Sequence, residues 1–118
     1  MLSLPSCVRI FVCTQATDMR CGFPRLSFYV EHLLGQDPFS GHLFVFFNRR
    51  ADKCKILFWD RSGFCLWYKQ LQRGTFQRLP GIARQSHVEV DLTKLALILE
   101  GIDLSRVRQR KRYDRKTV

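Results

Sequence analysis

The stretch "NRRADKCKILFWDRSGFCLWYKQLQRG", Asn48 to Gly74, threads Arg49, Arg50, Lys53, Lys55, Arg61, Lys69 and Arg73 among large apolar and aromatic residues. Guanidinium and ammonium groups at this density suit one kind of chemistry. They neutralise phosphate oxyanions and release the counterions condensed on a nucleic acid, gaining affinity without reading a base. The competing explanation is plainer: the charges are the solvated margins of an ordinary sheet. Arg49, Arg50 and Lys53 belong to one connector between apolar runs, and Arg61 to the next. If those connectors are successive turns of a meander, they project from opposite ends of the sheet and need not form one patch.

Other reactive residue types carry less. Catalysis needs two or three acids, or a nucleophile and its base, converging in one pocket. The carboxylates Asp18, Glu31, Asp37, Asp52, Asp60, Glu89, Asp91, Glu100, Asp103 and Asp114 mostly sit where caps, turns or helix surfaces explain them. His32, His42 and His87 are far apart in sequence and lack a paired acid. The chain has neither a glycine-rich phosphate loop nor an H-E-x-x-H pair. Cys7, Cys13, Cys21, Cys54 and Cys65 are odd in number and scattered, without C-x-x-C or zinc-ligand spacing, so they read as free thiols. No catalytic residue, metal ligand or cofactor is assigned on these grounds. A metal-dependent nuclease centred on Asp18 and Asp60 is the remote enzymatic alternative.

The elements that must position the basic residues follow from periodicity. At 118 residues, 46% apolar and 13% aromatic, the chain can bury one core without disulfides or metal. Val8 to Ala16 is rich in β-branched residues and suggests a first strand. Thr17 and Asp18 are cap-type residues before Phe23, Leu26, Val30, Leu33 and Leu34, which recur at helical spacing. Pro24 is tolerable only in that helix's first turn. "GQDPFSGH", Gly35 to His42, is a turn.

Three runs of strand length follow: His42 to Phe47, Cys54 to Trp59, and Phe64 to Lys69. Their short polar connectors predict an antiparallel meander. Because the runs are nearly continuous rather than alternating, both faces must be covered, by helices or by another chain. That leaves room for a homodimer or a protein partner. "TFQRLPGIARQS" reads as a loop and His87 to Val90 as one more short strand. Asp91 then caps a last helix whose apolar face is Leu92, Leu95, Ile98, Leu99 and Ile102, ending near Gly101. The expected fold is α+β, strand–helix–antiparallel β-meander–helix, in one compact domain over residues 1–104.

Residues 105–118 differ in kind. Arg106, Arg108, Arg110, Lys111, Arg112, Arg115 and Lys116 face only Asp114, so this tail holds +6 of the net charge of +10. With so little apolar content it reads as a mobile basic arm. No apolar run approaches the roughly 20 residues that span a bilayer, and the N-terminus lacks the pattern of an export signal. The expectation is a soluble cytoplasmic protein without a membrane partner.

"TDMRCGF" (Thr17 to Phe23), "DPFSGHLFVFFNRRADKCKILFWDRSGFCLWYKQLQRGTF" (Asp37 to Phe76) and "LALILEGID" (Leu95 to Asp103) together resemble the small TnpB, or Orf2-like, accessory proteins of the bacterial insertion-sequence-sixty-six elements. The likeness is collinear over nearly the whole chain. It places the family's motif on Asp18, Met19, Arg20, Phe23, Asp37, Pro38, Phe39, Gly41, Arg49, Arg50, Lys55, Trp59, Asp60, Gly63, Trp67, Tyr68, Lys69, Gly74 and Phe76. Cys21, Pro24 and "QRLP" (Gln77 to Pro80), which lacks the Trp usual before that proline, depart from it. The resemblance implies a bacterial protein serving transposition beside a separate, larger transposase, and it implies no enzymatic role.

Two function classes then stand ahead of the nuclease. The first is a non-catalytic, DNA-associated transposition factor, contacting element ends or non-specific duplex through Arg49, Arg50, Lys53, Lys55, Arg61 and the arm, and nucleoid-associated when bound. The second is an interaction module binding the transposase or another element-encoded protein. Trp59, Trp67, Tyr68 and the phenylalanines are expected mainly in the core, with stacking on splayed bases as the other use of an aromatic beside Arg.

Overall fold

A computed structural model describes residues 7–77, 85–100, 102–103 and 108–109, the last two segments as backbone only. Its centre is a five-stranded sheet in the order β4-β3-β2-β1-β5. The strands are β1 (Ile10–Cys13), β2 (Leu43–Phe47), β3 (Lys53–Asp60), β4 (Gly63–Gln70) and β5 (His87–Val90). β2, β3 and β4 pair antiparallel in sequence, with Val45 opposite Ile56 and Ile56 opposite Trp67. The meander and the α+β class are as expected.

Local sequence does not announce how β1 pairs. It lies parallel to β2, with Phe11 opposite Phe44, and antiparallel to β5, with Phe11 opposite Glu89. A parallel neighbour requires a crossover connection. Helix α1 (Phe23–His32) supplies it.

Alternation along the strands sends side chains to two separate cores. On one face Phe11, Cys13, Phe44, Phe46 and Leu57 pack with Leu26, Val30 and Leu34 of α1 and its exit. On the other, Ile10, Val12, Leu43, Val45, Cys54 and Ile56 pack with Leu95, Ile98 and Leu99 of helix α2 (Leu92–Glu100). One helix on each face accounts for the continuous apolar runs, so the cover is supplied by the same chain.

The two helix starts differ. Asp91 caps α2, its Oδ1 accepting the Lys94 N–H at 2.7 Å, which relieves one of the free donors of the first turn. Thr17 and Asp18 do not cap α1. The helix opens after Gly22, with no side-chain cap and with Pro24 in its first turn. A helix begun at Thr17 would carry Pro24 in its interior, where the missing N–H and the ring both oppose it. Gly35, at φ +65, turns the chain after the helix, in a backbone region that other residues enter only at a cost.

Two short strands, β6 (Ile102–Asp103) and β7 (Arg108–Gln109), pair antiparallel with Asp103 opposite Arg108. The boundary expected after residue 104 falls between them. Arg106, Arg110, Lys111, Arg112, Arg115 and Lys116 lie outside the described residues. Among the described residues no helix is long and apolar enough to cross a membrane.

Candidate nucleic-acid interface

The turn between β2 and β3 is built around Asn48. Its Oδ1 accepts the Asp52 and Lys53 N–H groups at 3.0 and 2.9 Å, and its Nδ2 donates to Asp52 Oδ1 at 2.6 Å. Ala51 lies buried at φ 56, a left-handed position unusual for a residue with a Cβ. Its carbonyl accepts the Phe76 N–H at 2.6 Å, and the Asp52 carbonyl accepts the Leu71 N–H at 2.8 Å. The turn is thereby fastened internally and to the chain after β4. Arg49 and Arg50 are lifted into solvent at its tip.

Because β1 and β2 run parallel, the segment after β1 emerges beside that turn. The Thr17 N–H donates to the Phe47 carbonyl at 2.8 Å, and Thr17 is buried. Asp18 Oδ1 accepts the Arg20 backbone N–H at 2.9 Å, and both its oxygens take the Arg20 guanidinium at 2.7–3.1 Å. That fork of hydrogen bonds holds the Asp18 carboxyl down at about 2. Lys55, expected among the phosphate contacts, is only 7% exposed. Its Nζ donates to the carbonyls of Met19 at 2.6 Å and Cys21 at 2.9 Å. It ties the loop to the sheet instead of presenting its charge outward.

These pieces enclose an open concavity of about 840 Å³, in which Asp18, Met19 and Arg20 face Arg49, Arg50 and Lys53, with Tyr29 and Tyr68 between. Among the described residues four cations line it against one carboxylate, and that carboxylate is already bound to Arg20. The site adjoins the carboxyl ends of the parallel pair, the position at which open α/β sheets commonly hold ligands.

Other singled-out residues are dispersed. Arg61 occupies the two-residue turn between β3 and β4, at φ 50 and exposed, with Asp60 and Gly63 paired across it. It stands at the far end of β3 from Arg49, Arg50 and Lys53. Eight residues of strand separate the two ends, roughly 25 Å at the usual rise per residue. Asp18 and Asp60 therefore do not converge. Among the described residues no three His, Cys, Asp or Glu side chains gather as a metal group.

Of the run Trp67-Tyr68-Lys69, Trp67 packs against the α2-side core, and Lys69 Nζ donates to the Leu99 carbonyl at 2.9 Å, near the end of α2. A cation at a helix C-terminus is stabilised there by the aligned carbonyls. Tyr68 points to the other face. It is 50% exposed, with Lys55 Nζ 5.0 Å from its ring centroid.

The aromatics divide likewise. Phe11, Phe44, Phe46 and Phe76 are core. Phe39 is 57% exposed and forms a cluster with Trp59 and Phe64, centroids 5.0 and 5.1 Å away. Phe23 lies 6.4 Å from Phe64 and is also exposed. This cluster sits at the Arg61 end. Cys13 and Cys54 are buried thiols, burial pushing Cys54 up to about 12.

The meeting of the Asp18–Arg20 loop with the basic turn was not visible in the sequence, because it depends on the parallel pairing of β1 with β2. The shared signal was compositional only: Arg at position 20, then Arg at 49 and 50.

Comparison with known proteins gives one family. Residues 8–109 match the family described as IS66 Orf2 like protein. An uncharacterized protein of Sinorhizobium fredii strain NGR234, y4hO, is 38% identical over 96 residues, covering 81% of this chain and 82% of that one. A second from the same strain, y4jC, is 33% identical over 103 residues, covering 87% and 86%. No solved structure matches.

Proposed function

Since the chain belongs to the IS66 Orf2-like family, we propose that it is a non-catalytic accessory protein of transposition that holds DNA by its phosphate backbone, in the bacterial cytoplasm and at the nucleoid. The observation that carries this reading is the convergence of Arg49, Arg50 and Lys53 with Arg20 on one concavity whose facing carboxylate is engaged. The turn that carries Arg49, Arg50 and Lys53 is already braced, so meeting a phosphate orders their side chains but not the backbone beneath, and each contact keeps more of its Coulomb and counterion gain. Arg61 and the cations of residues 105–118 add a diffuse field. They steer a duplex toward the protein and are screened as salt rises.

The test is fluorescence anisotropy with a labelled element-end duplex and a random duplex of equal length, at several salt concentrations. Comparable, salt-sensitive affinity for both supports backbone binding. Absence of binding to either at low salt overturns it. Removal of residues 110–118, which leaves β7 in place, should weaken binding most at low salt.

A second reading is favoured by a different observation. The exposed Phe23 and Phe39 with Trp59, Phe64 and Arg61 at the opposite end form an aromatic surface with a cation at its margin, a composition common at protein interfaces. The partner on this reading is the element's transposase, met through an acidic surface. A pull-down lost on Phe39→Ala and retained on Arg49→Ala would assign that end to it, and sedimentation would separate it from a homodimer.

A further inference from the structure

Among the described residues Tyr68 is one of several large aromatics that the core does not claim, and it is the half-exposed one that lines the cationic concavity. It lies on β4, an edge strand, directly opposite Lys55. Its neighbours Trp67 and Lys69 turn to the α2 side, while Tyr68 turns toward the concavity and stays half exposed. The Lys55 ammonium stands over the ring at 5.0 Å and is itself pinned between the Met19 and Cys21 carbonyls. A ring backed by a fixed cation is oriented before any ligand arrives. Around the same concavity stand Arg20, Arg49, Arg50 and Lys53.

Flat aromatic surface and clustered cations in one recess match a ligand with a flat, polarisable part joined to an anion. A nucleotide is that ligand. Within a duplex, the base faces are covered by their neighbours, so a side-chain ring can meet phosphates, sugars and groove edges but cannot stack on a base. A base that has left the stack, or belongs to a single strand, can lie on an aromatic ring while its phosphate meets Arg or Lys, and such stacking tolerates any base. The recess, at about 840 Å³, lies within the roughly 300–1,000 Å³ range of small-ligand clefts, large enough for a nucleotide unit though too small for a duplex.

We propose that Tyr68 is the stacking platform of a site for an unpaired nucleotide of a single strand, with Arg49, Arg50 and Lys53 holding its phosphates. The proposal rests on the phosphate-binding reading above and extends it. It places an unstacked base on Tyr68 within the concavity, while the same cations meet the phosphates of either a single strand or a duplex. Lys55 is a positioning residue here, acting through the ring and the Met19–Cys21 loop.

The experiment measures anisotropy of the full chain with labelled 15-nucleotide oligothymidine, oligouridine and a 15-base-pair duplex at one salt concentration. The variants are Tyr68→Ala, Tyr68→Phe, Tyr68→Trp and Arg49→Ala/Arg50→Ala. Tyr68→Ala is expected to weaken single-strand binding roughly five- to a hundredfold and leave duplex binding within about twofold. Tyr68→Phe and Tyr68→Trp should restore it. The added Trp at position 68 should be quenched by single strand beyond the change seen in the native chain, a readout independent of whether the Ala variant keeps its fold. Tighter binding of the DNA or of the RNA oligomer identifies the natural source, and either result supports the site. Equal loss on single strand and duplex, no loss on single strand, or a chain that binds duplex and ignores both oligomers would overturn the proposal and leave the backbone reading standing. Failure to bind all three nucleic acids would overturn both.

Discussion

At one end of β3 the Asn48–Asp52 turn, the loop after β1 and Tyr68 converge around a recess lined with cations. At the other end, the tight turn at Arg61 and Ser62 leads to a cluster of Phe23, Phe39, Trp59 and Phe64. The strands joining the two ends are the same. What differs is which segments arrive there. The parallel pairing of β1 and β2 brings the exits of both strands to the first end, so two loops share it. The second end receives the chain returning from α1 through Phe39, which must cover the aromatic flank of β3 and β4. Charge accumulates where loops converge in solvent, and aromatics where a connection lies back on the sheet.

The comparison can be broken at either end. The largest change is expected from Asn48→Ala, which leaves the Asp52 and Lys53 N–H groups without their acceptor. Removing a bond of this kind costs about 1–3 kcal/mol, visible as a lower melting temperature, and duplex affinity should fall with it as the tip loosens. Ser62→Ala in the opposite turn should stay within about 0.5 kcal/mol. Next comes Phe39→Ala, which removes ring packing against Trp59 and Phe64. Stability should drop by about 1 kcal/mol, with duplex affinity unchanged, since the two ends act separately.

A smaller effect of opposite sign is expected at Asp18. Asp18→Asn releases the Arg20 guanidinium and adds one unit of positive charge to the recess, so duplex binding should tighten a few-fold at low salt and lose that gain as salt rises. The smallest concerns pH. The Asp18 carboxyl is depressed to about 2, so the stabilisation from its pairing is fully present above the ordinary carboxylate range and fades only as pH falls toward 2. Duplex binding between pH 8 and 5 should therefore not change on account of this pair. A clear change there that Asp18→Asn abolishes would mean the carboxyl titrates within that window.

The meander and α2 were legible in sequence because their signals are local: apolar runs of strand length, short polar connectors and a capping Asp91. The placement of Arg61 away from Arg49 and Arg50 followed from the same pattern. The start of α1 was misplaced because Thr17 and Asp18 have the side chains of caps. Their polar groups serve other ends, Asp18 in its tie to Arg20 and Thr17 through a backbone bond to β2. The recess itself was not legible. It depends on a parallel pairing whose partners lie some thirty residues apart, joined through a helix and not by a short hairpin connector that would name the partner. Lys55 shows the same limit: a lysine in an apolar run gives no sign that two carbonyls from the segment after β1 will take up its charge.

The salt dependence of duplex binding tests most directly whether the two ends divide as described. The logarithm of affinity against the logarithm of salt concentration should be measured for the native chain, for Arg49→Ala/Arg50→Ala and for Arg61→Ala. Removing one phosphate-neutralising cation flattens that line by about 0.9. The account predicts that the double substitution lowers the slope by nearly two units across unrelated sequences while Arg61→Ala moves it little. An unchanged slope in the double variant, or an equal flattening per residue at Arg61, would contradict it.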